Sequence, residues 1–468
     1  MVLDWLTRSL GRWLDKRFRL ARFVRRALNH VFPDHWSFML GEIALYSFVI
    51  LFVTGVFLAM FYTSGSEKVV YHGSYHPLDG IKLAAAYESV LHISFDVRAG
   101  LLIRQMHHWA ALIFIAAITV HAIRIFFTSA YRRPRELNWM IGLTLLLLAL
   151  ANGFFGYSLP GDLLSGAGMR IGYAILLSVP VVGEWMAFLF FGSTVPAAAT
   201  LPRFYSFHIF LVPALIAILL FAHIGLIWRQ MHTNYPGPRR TDKTIVGSRL
   251  WPSYAAKSLG LFFLLFAVIG MLGGLVQIDP VWIYGPFDPV AIMPGAQPDW
   301  YLGWIEGAMR LFPSIHVRVG GWLVPEIFFP AMLLPLIVFG VLFLYPFFDK
   351  LISSDFTDQP HHVLRLPRQQ PFNTAFGSAA LVFLLVLFVA GGDDVIAVAT
   401  GSSVVMIRAV LRVLALGAPP VTAVLVYGLC ARARKRHAAE DARPVLEVAI
   451  PERGSTPQTS KEASARCD

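Results

Sequence analysis

The sequence predicts an all-α, polytopic membrane protein with eight transmembrane helices, and three observations support this class. The 468-residue chain is 56% hydrophobic and only 14% charged, with a mean hydropathy of +0.62, which excludes an ordinary soluble domain. Eight apolar stretches are long enough to cross a bilayer. The basic residues behind the net charge of +11 cluster at the ends of these stretches, which is typical of membrane topology and gives no indication of nucleic-acid binding.

Residues 1–36 are predicted to form a basic amphipathic helix on the cytoplasmic membrane surface. Apolar residues such as Trp13 and Phe23 alternate with arginines such as Arg12 and Arg22. The segment has no uninterrupted apolar region, so it does not have the pattern of a signal peptide. We therefore expect a cytoplasmic N-terminus.

The eight predicted spans fall into two groups of four. Residues 37–235 contain the first group, residues 236–430 contain the second, and residues 431–468 are expected to be a disordered cytoplasmic tail because they are polar and charged. The spans are A (39–62), B (106–127), C (139–159), D (204–228), E (259–278), F (322–348), G (375–391) and H (404–430).

The charges set the predicted topology. Basic clusters follow span B (Arg132, Arg133, Arg135) and span D (Arg239, Arg240), and both clusters favour the cytoplasm. An even number of crossings must separate them. Spans C and D supply it, so the apolar stretch 171–192 is predicted to be a hairpin on the outer surface. Spans B and D then run parallel, and the C-terminus is cytoplasmic.

Spans B and D each carry two histidines. His107 and His121 are 14 residues apart, and His208 and His223 are 15 apart, so each pair falls on one helix face at two levels about 21 Å apart. Parallel helices would join His107 with His208 near the outer surface and His121 with His223 near the inner surface. This arrangement favours the iron of two b-type haems, each held by two neutral imidazoles.

Arginine and glycine positions support the same site. Arg104 and Arg124 lie three residues from His107 and His121, on nearly the same helix face, where each could pair with haem propionates. Glycines recur at the 14-residue interval in two neighbouring spans, where a missing Cβ would leave room for a flat macrocycle. These glycines are Gly41 and Gly55 in span A, and Gly142 and Gly156 in span C.

The two cysteines, Cys430 and Cys467, form no CxxCH motif, so the sequence predicts neither a c-type haem nor a disulfide framework. The segment between spans E and F contains Asp299 and Tyr301. A carboxylate in an aromatic setting could accept a proton from a quinol. Asp299 is therefore a candidate proton acceptor, with an ordinary loop aspartate as the alternative.

These residues resemble the cytochrome b subunit of respiratory bc1 (bcc-type) complexes, and the resemblance covers roughly residues 30–430. It is carried by residues 54–60 (TGVFLAM), by Arg104 to His107 with His121 and Arg124, by Gly156-Tyr157, and by Arg203 with His208 and His223. Residues 298–301 (PDWY) match the family's Pro-Glu-Trp-Tyr with aspartate for glutamate. Residues 158–166 look like the actinobacterial type.

The resemblance implies a Q cycle. Quinol would be oxidised at the outer site near Asp299 and Tyr301, one electron passing to a Rieske iron–sulfur subunit and the other through two b haems to an inner quinone site, with proton translocation. It also implies that Arg203 binds a cofactor. Lys257 falls where the family has a quinone-site lysine. The family's following aspartate is Ser258 here, its histidine is Trp228, and His232 lies nearby.

The resemblance further implies a cytochrome c subunit, a homodimer of the complex, a possible supercomplex with a terminal oxidase, and the cell membrane as location. The actinobacterial likeness favours menaquinone over ubiquinone. Two alternatives remain open from the residues: a di-haem anchor of another quinone-linked oxidoreductase, and a proton-coupled transporter that uses its histidines as a relay.

Overall fold

The computed structural model describes residues 2–192, 197–291, 293, 297–354 and 356–441, and helices dominate it. The first nine are α1 (Val2–Phe18), α2 (Leu20–Leu28), α3 (Met39–Ala59), α4 (Ala85–Phe95), α5 (Gly100–Phe127), α6 (Glu136–Tyr157), α7 (Leu163–Leu177), α8 (Gly183–Phe191) and α9 (Thr200–Ser206). The others are α10 (Val212–Gln230), α11 (Ala255–Leu275), α12 (Val281–Tyr284), α13 (Gly303–Leu311), α14 (Leu334–Ser353), α15 (Pro371–Gly391), α16 (Asp393–Thr400) and α17 (Val404–Asp441).

Among the residues that the structure describes, strands occur as three short antiparallel pairs. They are β1 (Val31–Phe32) with β4 (Ser248–Arg249), β2 (Lys68–Val70) with β3 (Lys82–Ala84), and β5 (Val317–Val319) with β6 (Trp322–Val324). The β1–β4 pair ties the chain before α3 to the chain before α11, with Val31 opposite Arg249.

Eight helical segments within the described ranges are long and apolar enough to cross a membrane, as predicted. They are Trp36–Ala59, Gly100–Phe127, Glu136–Tyr157, Thr200–Gln230, Leu250–Leu275, Phe329–Ser353, Pro371–Gly391 and Val404–Ala438. Their outward faces are apolar, as lipid requires. Phe221 and Leu416, for example, each expose 79% of their surface. The predicted all-α fold with eight spans is confirmed.

The first four spans form a four-helix bundle. Helix α3 packs along α5, α10 packs along α6, and α5 contacts α6, while α11 covers the outside of α3 and α5. Between the histidine levels, Phe114 and Ile115 of α5 are buried with Ala44 of α3 and Ala149 of α6. This core fixes the relative heights of the four helices and therefore of the histidines that they carry.

The fourth span contains a π-helical turn, Phe207–Leu211, between α9 and α10. A π turn holds one more residue than an α turn, and such turns occur often at functional sites. His208 lies within it. The turn explains why the histidine interval is 15 residues in this span and 14 in α5.

The apolar stretch 171–192 forms a helical hairpin. Helices α7 and α8 pack against each other, and their 15 and 9 residues are too few to cross a hydrocarbon core about 30 Å thick.

Span F begins later than predicted. Trp322 to Val324 pair with Val317 to Val319 across a two-residue turn at Gly320 and Gly321, both of which have positive φ. Glycine pairs favour this tight turn. The apolar residues 322–324 therefore belong to a hairpin, and the spanning segment is Phe329–Ser353.

Two terminal predictions also need correction. The N-terminal segment is two helices rather than one, because the chain breaks at Arg19, which has a φ of 50°. At the other end α17 continues to Asp441, so residues 431–441 of the predicted disordered tail are helical. The rest of that predicted tail, residues 442–468, lies outside the described residues.

Candidate functional site

The structure brings His107 and His208 together between α5 and the π turn. Their ring centroids are 6.1 Å apart and their planes are inclined by 76°. Two imidazoles that each bind one metal ion at about 2 Å place their centroids about 6 Å apart. The observed separation therefore suits one metal ion between the two rings.

Hydrogen bonds orient both of these imidazoles. The Thr54 hydroxyl donates to the Ile50 carbonyl at 2.7 Å, so it accepts a hydrogen bond from Nδ1 of His107 at 2.9 Å. Nδ1 of His208 donates to the Asn152 carbonyl at 3.0 Å. Fixing the proton on Nδ1 leaves each Nε2 lone pair available for a metal, which is the usual way a protein orients histidine ligands.

Each of the four histidines lies against one of the four predicted glycines. An added Cβ would approach the histidine Cε1 to 3.3 Å at Gly41 (His121), 3.2 Å at Gly55 (His107), 3.4 Å at Gly142 (His223) and 2.4 Å at Gly156 (His208). The 14-residue glycine interval in α3 and α6 thus matches the histidine levels of the facing helices. The glycines let the imidazoles lie directly against the helix backbones.

Arg124 is positioned at the level of His121. Its guanidinium carbon lies 4.1 Å from the centre of the Phe38 ring, an arrangement that favours a cation. Its Nε and Nη2 atoms are buried and have no hydrogen-bond partner among the described residues. A buried guanidinium in this state needs an anionic acceptor.

Arg104 and Arg203 have different contacts. One guanidinium nitrogen of Arg104 donates to the Asp279 carbonyl at 3.0 Å, while its buried Nε is unpaired within the described ranges. Arg203 donates to the carbonyls of Phe188 and Leu189, both at 2.8 Å. These bonds give Arg203 a structural role at the end of α8, where helix carbonyls lack partners.

The residues of this bundle fit a b-type haem. The glycines let the imidazoles lie against α3 and α6, the His107 and His208 rings are spaced to bind one metal ion between them, and buried nitrogens of Arg124, His121 and His223 lack partners in the part of the chain that the structure describes. Propionate groups would supply the anionic acceptor that Arg124 lacks.

Asp299 and Tyr301 come together at the His107 end of the bundle. The Tyr301 hydroxyl donates to the Asp299 carboxylate at 3.1 Å, and the Tyr301 side chain is buried. Its ring packs between α5 and α6, because Gly153 of α6 has no side chain to exclude the hydroxyl. Burial raises the pKa of Tyr301 well above its usual value, so the phenol stays protonated and able to donate.

Sequence reasoning missed His108. Its Nε2 lies 3.2 Å from an Asp299 oxygen, and its Nδ1 lies 3.6 Å from an oxygen of Asp279. Burial raises the pKa of Asp279. The sequence did contain a signal, which was the pair of adjacent histidines His107 and His108. Adjacent residues on a helix point about 100° apart, so if His107 faces His208, His108 must face a different group.

A cavity of about 270 Å³ lies at the opposite end of the bundle, between the first turns of α3 and α11. Lys257 and Ser258 line it. His232 does not: it packs against Phe32, which in turn stacks on Tyr254. Burial lowers the pKa of His232 to about 4, so its imidazole is neutral. Trp228 stacks on His30.

Glu42 also lines this cavity, and sequence reasoning missed it as well. Its carboxylate accepts hydrogen bonds from the hydroxyls of Tyr254 and Ser258. The sequence signal was an acidic residue in the first turn of an apolar span. Intramembrane carboxylates are rare and are mostly functional.

Comparison with protein families gives a match over residues 112–286 to the family described as "Cytochrome b(N-terminal)/b6/petB". The matched range contains three of the four site histidines. It extends through the third, fourth and fifth spans to the segment that holds Asp279.

Curated relatives match over most of the chain, and each is described as a cytochrome bc1 complex cytochrome b subunit. The protein of Corynebacterium diphtheriae is 44% identical over 422 residues, which are 90% of this chain and 78% of the relative. That of Streptomyces coelicolor is 44% identical over 91% of this chain and 77% of the relative. That of Mycobacterium tuberculosis is 44% identical over 89% of this chain and 76% of the relative.

A chain of a hyperthermophilic respiratory complex III is similar in structure. The TM-score is 0.65 at 20% sequence identity, over 89% of this chain and 99% of that chain. At this identity the likeness shows a shared fold.

Proposed function

We propose a function from the following premise: this chain belongs to the family of cytochrome bc1 complex cytochrome b subunits. It is a haem-binding, membrane-spanning subunit of a respiratory electron-transport complex with quinol–cytochrome c oxidoreductase activity. Within that complex, the chain oxidises quinol at the site of Asp299 and Tyr301 and passes electrons to a second quinone site by a Q cycle. The alternatives of a dehydrogenase anchor and a transporter are set aside by the family.

The haem sites follow from the bundle. His107 and His208 would hold one b haem, His121 and His223 a second, with Arg124 pairing with the propionates of the second. The haems, when bound, supply reversible one-electron chemistry. The protein's own part is to orient the imidazoles through Thr54 and Asn152 and to let them lie against the glycines of α3 and α6.

Quinol oxidation releases protons, and Asp299 would accept one of them from the quinol hydroxyl. The Tyr301 hydroxyl holds the Asp299 carboxylate in place at 3.1 Å, and its raised pKa keeps it from competing for the acceptor role. The nearby His107–His208 pair would hold the haem that accepts an electron. This juxtaposition of a hydrogen-bonded carboxylate and the His107–His208 pair is the observation that carries the proposal.

Orientation and partners complete the proposal. The charge pattern supports a cytoplasmic position for both termini and for the His121 end, with residues 37–235 carrying the haems and residues 236–430 supplying the quinol-site loop. A Rieske iron–sulfur subunit and a cytochrome c subunit would accept electrons, because the sequence provides no cysteine ligands for either cofactor. We further propose menaquinol as substrate, a homodimeric complex and an associated terminal oxidase.

The proposal is tested with Asp299→Asn in the purified complex. The amide keeps the size of the side chain but cannot accept the proton, so quinol oxidation should slow by about a hundredfold. A reduced-minus-oxidised spectrum should still show both b haems. Asp288→Asn, at an exposed carboxylate in the same connecting segment, is the matched control. A rate equal to wild type in Asp299→Asn would remove the carboxylate from the reaction.

A further inference from the structure

The cavity beside α3 and α11 carries an acid that the family resemblance does not supply. Position 258, next to the cavity lysine, is serine rather than aspartate. The hydroxyl of Ser258 contacts the carboxylate of Glu42, which enters the same cavity from α3. The structure thus places a carboxylate at this point in space, but from the opposite wall.

We propose that Glu42 is the group that protonates quinone in this cavity, a role that rests on the proposed function of the chain. Three features of the cavity support it: its position next to the His121 level, the hydrogen bonds of the carboxylate, and the separate pairing of the other acid at the cavity mouth.

The cavity adjoins the proposed electron donor. Gly41 lies against the His121 ring, and Glu42 is the next residue on the same helix, about 100° around its axis. Phe38, which also lines the cavity, is covered on one face by the Arg124 guanidinium at 4.1 Å. A quinone ring in this cavity would therefore lie close to the level of His121 in the bundle, because the cavity residues are direct neighbours of residues at that level.

The surrounding hydroxyls aim the Glu42 carboxyl group. Tyr254 and Ser258 each donate to one of its oxygens. Because Ser258 donates its only proton to Glu42, it accepts from the Tyr46 hydroxyl at 2.5 Å. The hydroxyl contacts of Tyr254 and Ser258 thus hold the Glu42 carboxyl group at the wall of the cavity.

The other acid of the cavity, Asp34, has a different partner. The Lys257 ammonium donates to its carboxylate at 2.7 Å and Ser248 donates at 2.6 Å. These two hydrogen bonds lower the pKa of Asp34, and the bond from Lys257 has the larger effect. Asp34 therefore stays ionised at neutral pH. The half-exposed ion pair of Asp34 and Lys257 at the mouth suits proton entry from water. The proton transferred to quinone comes instead from Glu42, the other carboxyl group of the cavity.

The chemical step balances with two electrons and two protons per quinone. The electrons would come one at a time from the b haem that His121 and His223 would hold under the proposed function. As one carbonyl oxygen gains its proton, an O–H bond forms there and the Glu42 O–H bond breaks. Cytoplasmic water returns a proton to Glu42 through the mouth at Asp34 and Lys257. The second carbonyl oxygen takes its proton from water on the open side, and quinol leaves.

The test uses three variants of the whole complex. Glu42→Gln keeps the size and the hydrogen-bonding hydroxyls but removes the transferable proton. Glu42→Gln combined with Ser258→Asp returns a carboxylate to the same point from α11. Glu184→Gln, at an exposed carboxylate on α8, is the control. Stopped-flow spectroscopy follows b-haem reduction by a quinol pulse and the later re-oxidation of the haem by quinone.

We expect re-oxidation in Glu42→Gln to be about a hundredfold slower, with normal haem content and a normal initial reduction phase. The double variant should recover at least a tenth of the wild-type rate, about a tenfold gain over Glu42→Gln. Wild-type re-oxidation in Glu42→Gln, or a loss that the double variant does not reverse, would overturn the inference. Failure of wild-type haem to be reduced by quinol would instead contradict the proposed function.

Discussion

The tightest of the four glycine contacts makes the sharpest test of the haem framework. In Gly156→Ala the new Cβ would lie 2.4 Å from Cε1, 2.9 Å from Nδ1 and 3.0 Å from Nε2 of His208. In Gly142→Ala the nearest atom, Cε1 of His223, is at 3.4 Å, an ordinary contact. The same substitution thus requires His208 to move by about 1 Å at one level and requires almost no shift at the other.

His208 cannot move freely, because Asn152 holds its Nδ1 and a metal bond of about 2 Å would hold its Nε2. Overpacking of this kind costs about 1–3 kcal/mol, which is a roughly 5- to 150-fold loss of affinity for the haem at the His107 level. Gly142→Ala should change affinity by less than about threefold, since the expected cost is within about 0.5 kcal/mol.

The assay is haem quantitation on purified complex, with a redox titration to resolve the two b haems. Gly225→Ala is the control, because Gly225 is in α10 and a Cβ there would meet nothing within 4 Å. Gly156→Ala should lose the haem held by His208 and keep the other. Equal retention of both haems in Gly156→Ala and Gly142→Ala would refute the packing argument.

Two further predictions concern the second histidine pair and a buried acid. His223→Ala should halve the haem content and leave the haem held by His107 and His208. The control His232→Ala should keep both haems. An unaltered haem spectrum in His223→Ala would contradict the ligand assignment. Burial raises the pKa of Asp162 to about 6. Between about pH 4 and 6 the folded state therefore binds more protons than the unfolded state, and the free energy of unfolding falls as the pH rises through that window. Asp162→Asn should then stabilise the protein at pH 7.5 by up to about 3 kcal/mol and by much less at pH 4, as measured by thermal unfolding in detergent; an equal effect at both pH values would exclude the ionisation.

The spans were predictable from sequence because hydropathy is a local property and each span needs only its own residues. The start of the sixth span was not, since Trp322 to Val324 are as apolar as a membrane helix. The turn at Gly320 and Gly321 decided their structure instead. The shared interval of the glycines was recognisable for the opposite reason, since a 14-residue repeat in two helices reflects a shared tertiary constraint. The sequence assigned that constraint to a macrocycle, whereas the contacts in the structure are with imidazoles.

The acids and bases around the two proposed quinone sites were harder to predict. His108 and Glu42 are each adjacent to a residue singled out from the sequence, yet their partners come from chain segments far away in sequence. His108 meets Asp279 and Asp299, and Glu42 meets Tyr254 and Ser258. Such contacts depend on how α11 and the segment after it pack against α3 and α5, which periodicity within one helix cannot specify.

The order of the residues along the chain also has a consequence for biosynthesis. All four histidines and their facing glycines precede residue 224, whereas Asp279, Asp299 and Tyr301 follow it. Chains fold from the N-terminus as they leave the ribosome, so the bundle that holds the haems can close before the later spans are inserted. On the proposed function, the histidines that would hold the haems are then in place before Asp299, the residue proposed to take a proton from quinol, so an incomplete chain would bind haem without oxidising quinol.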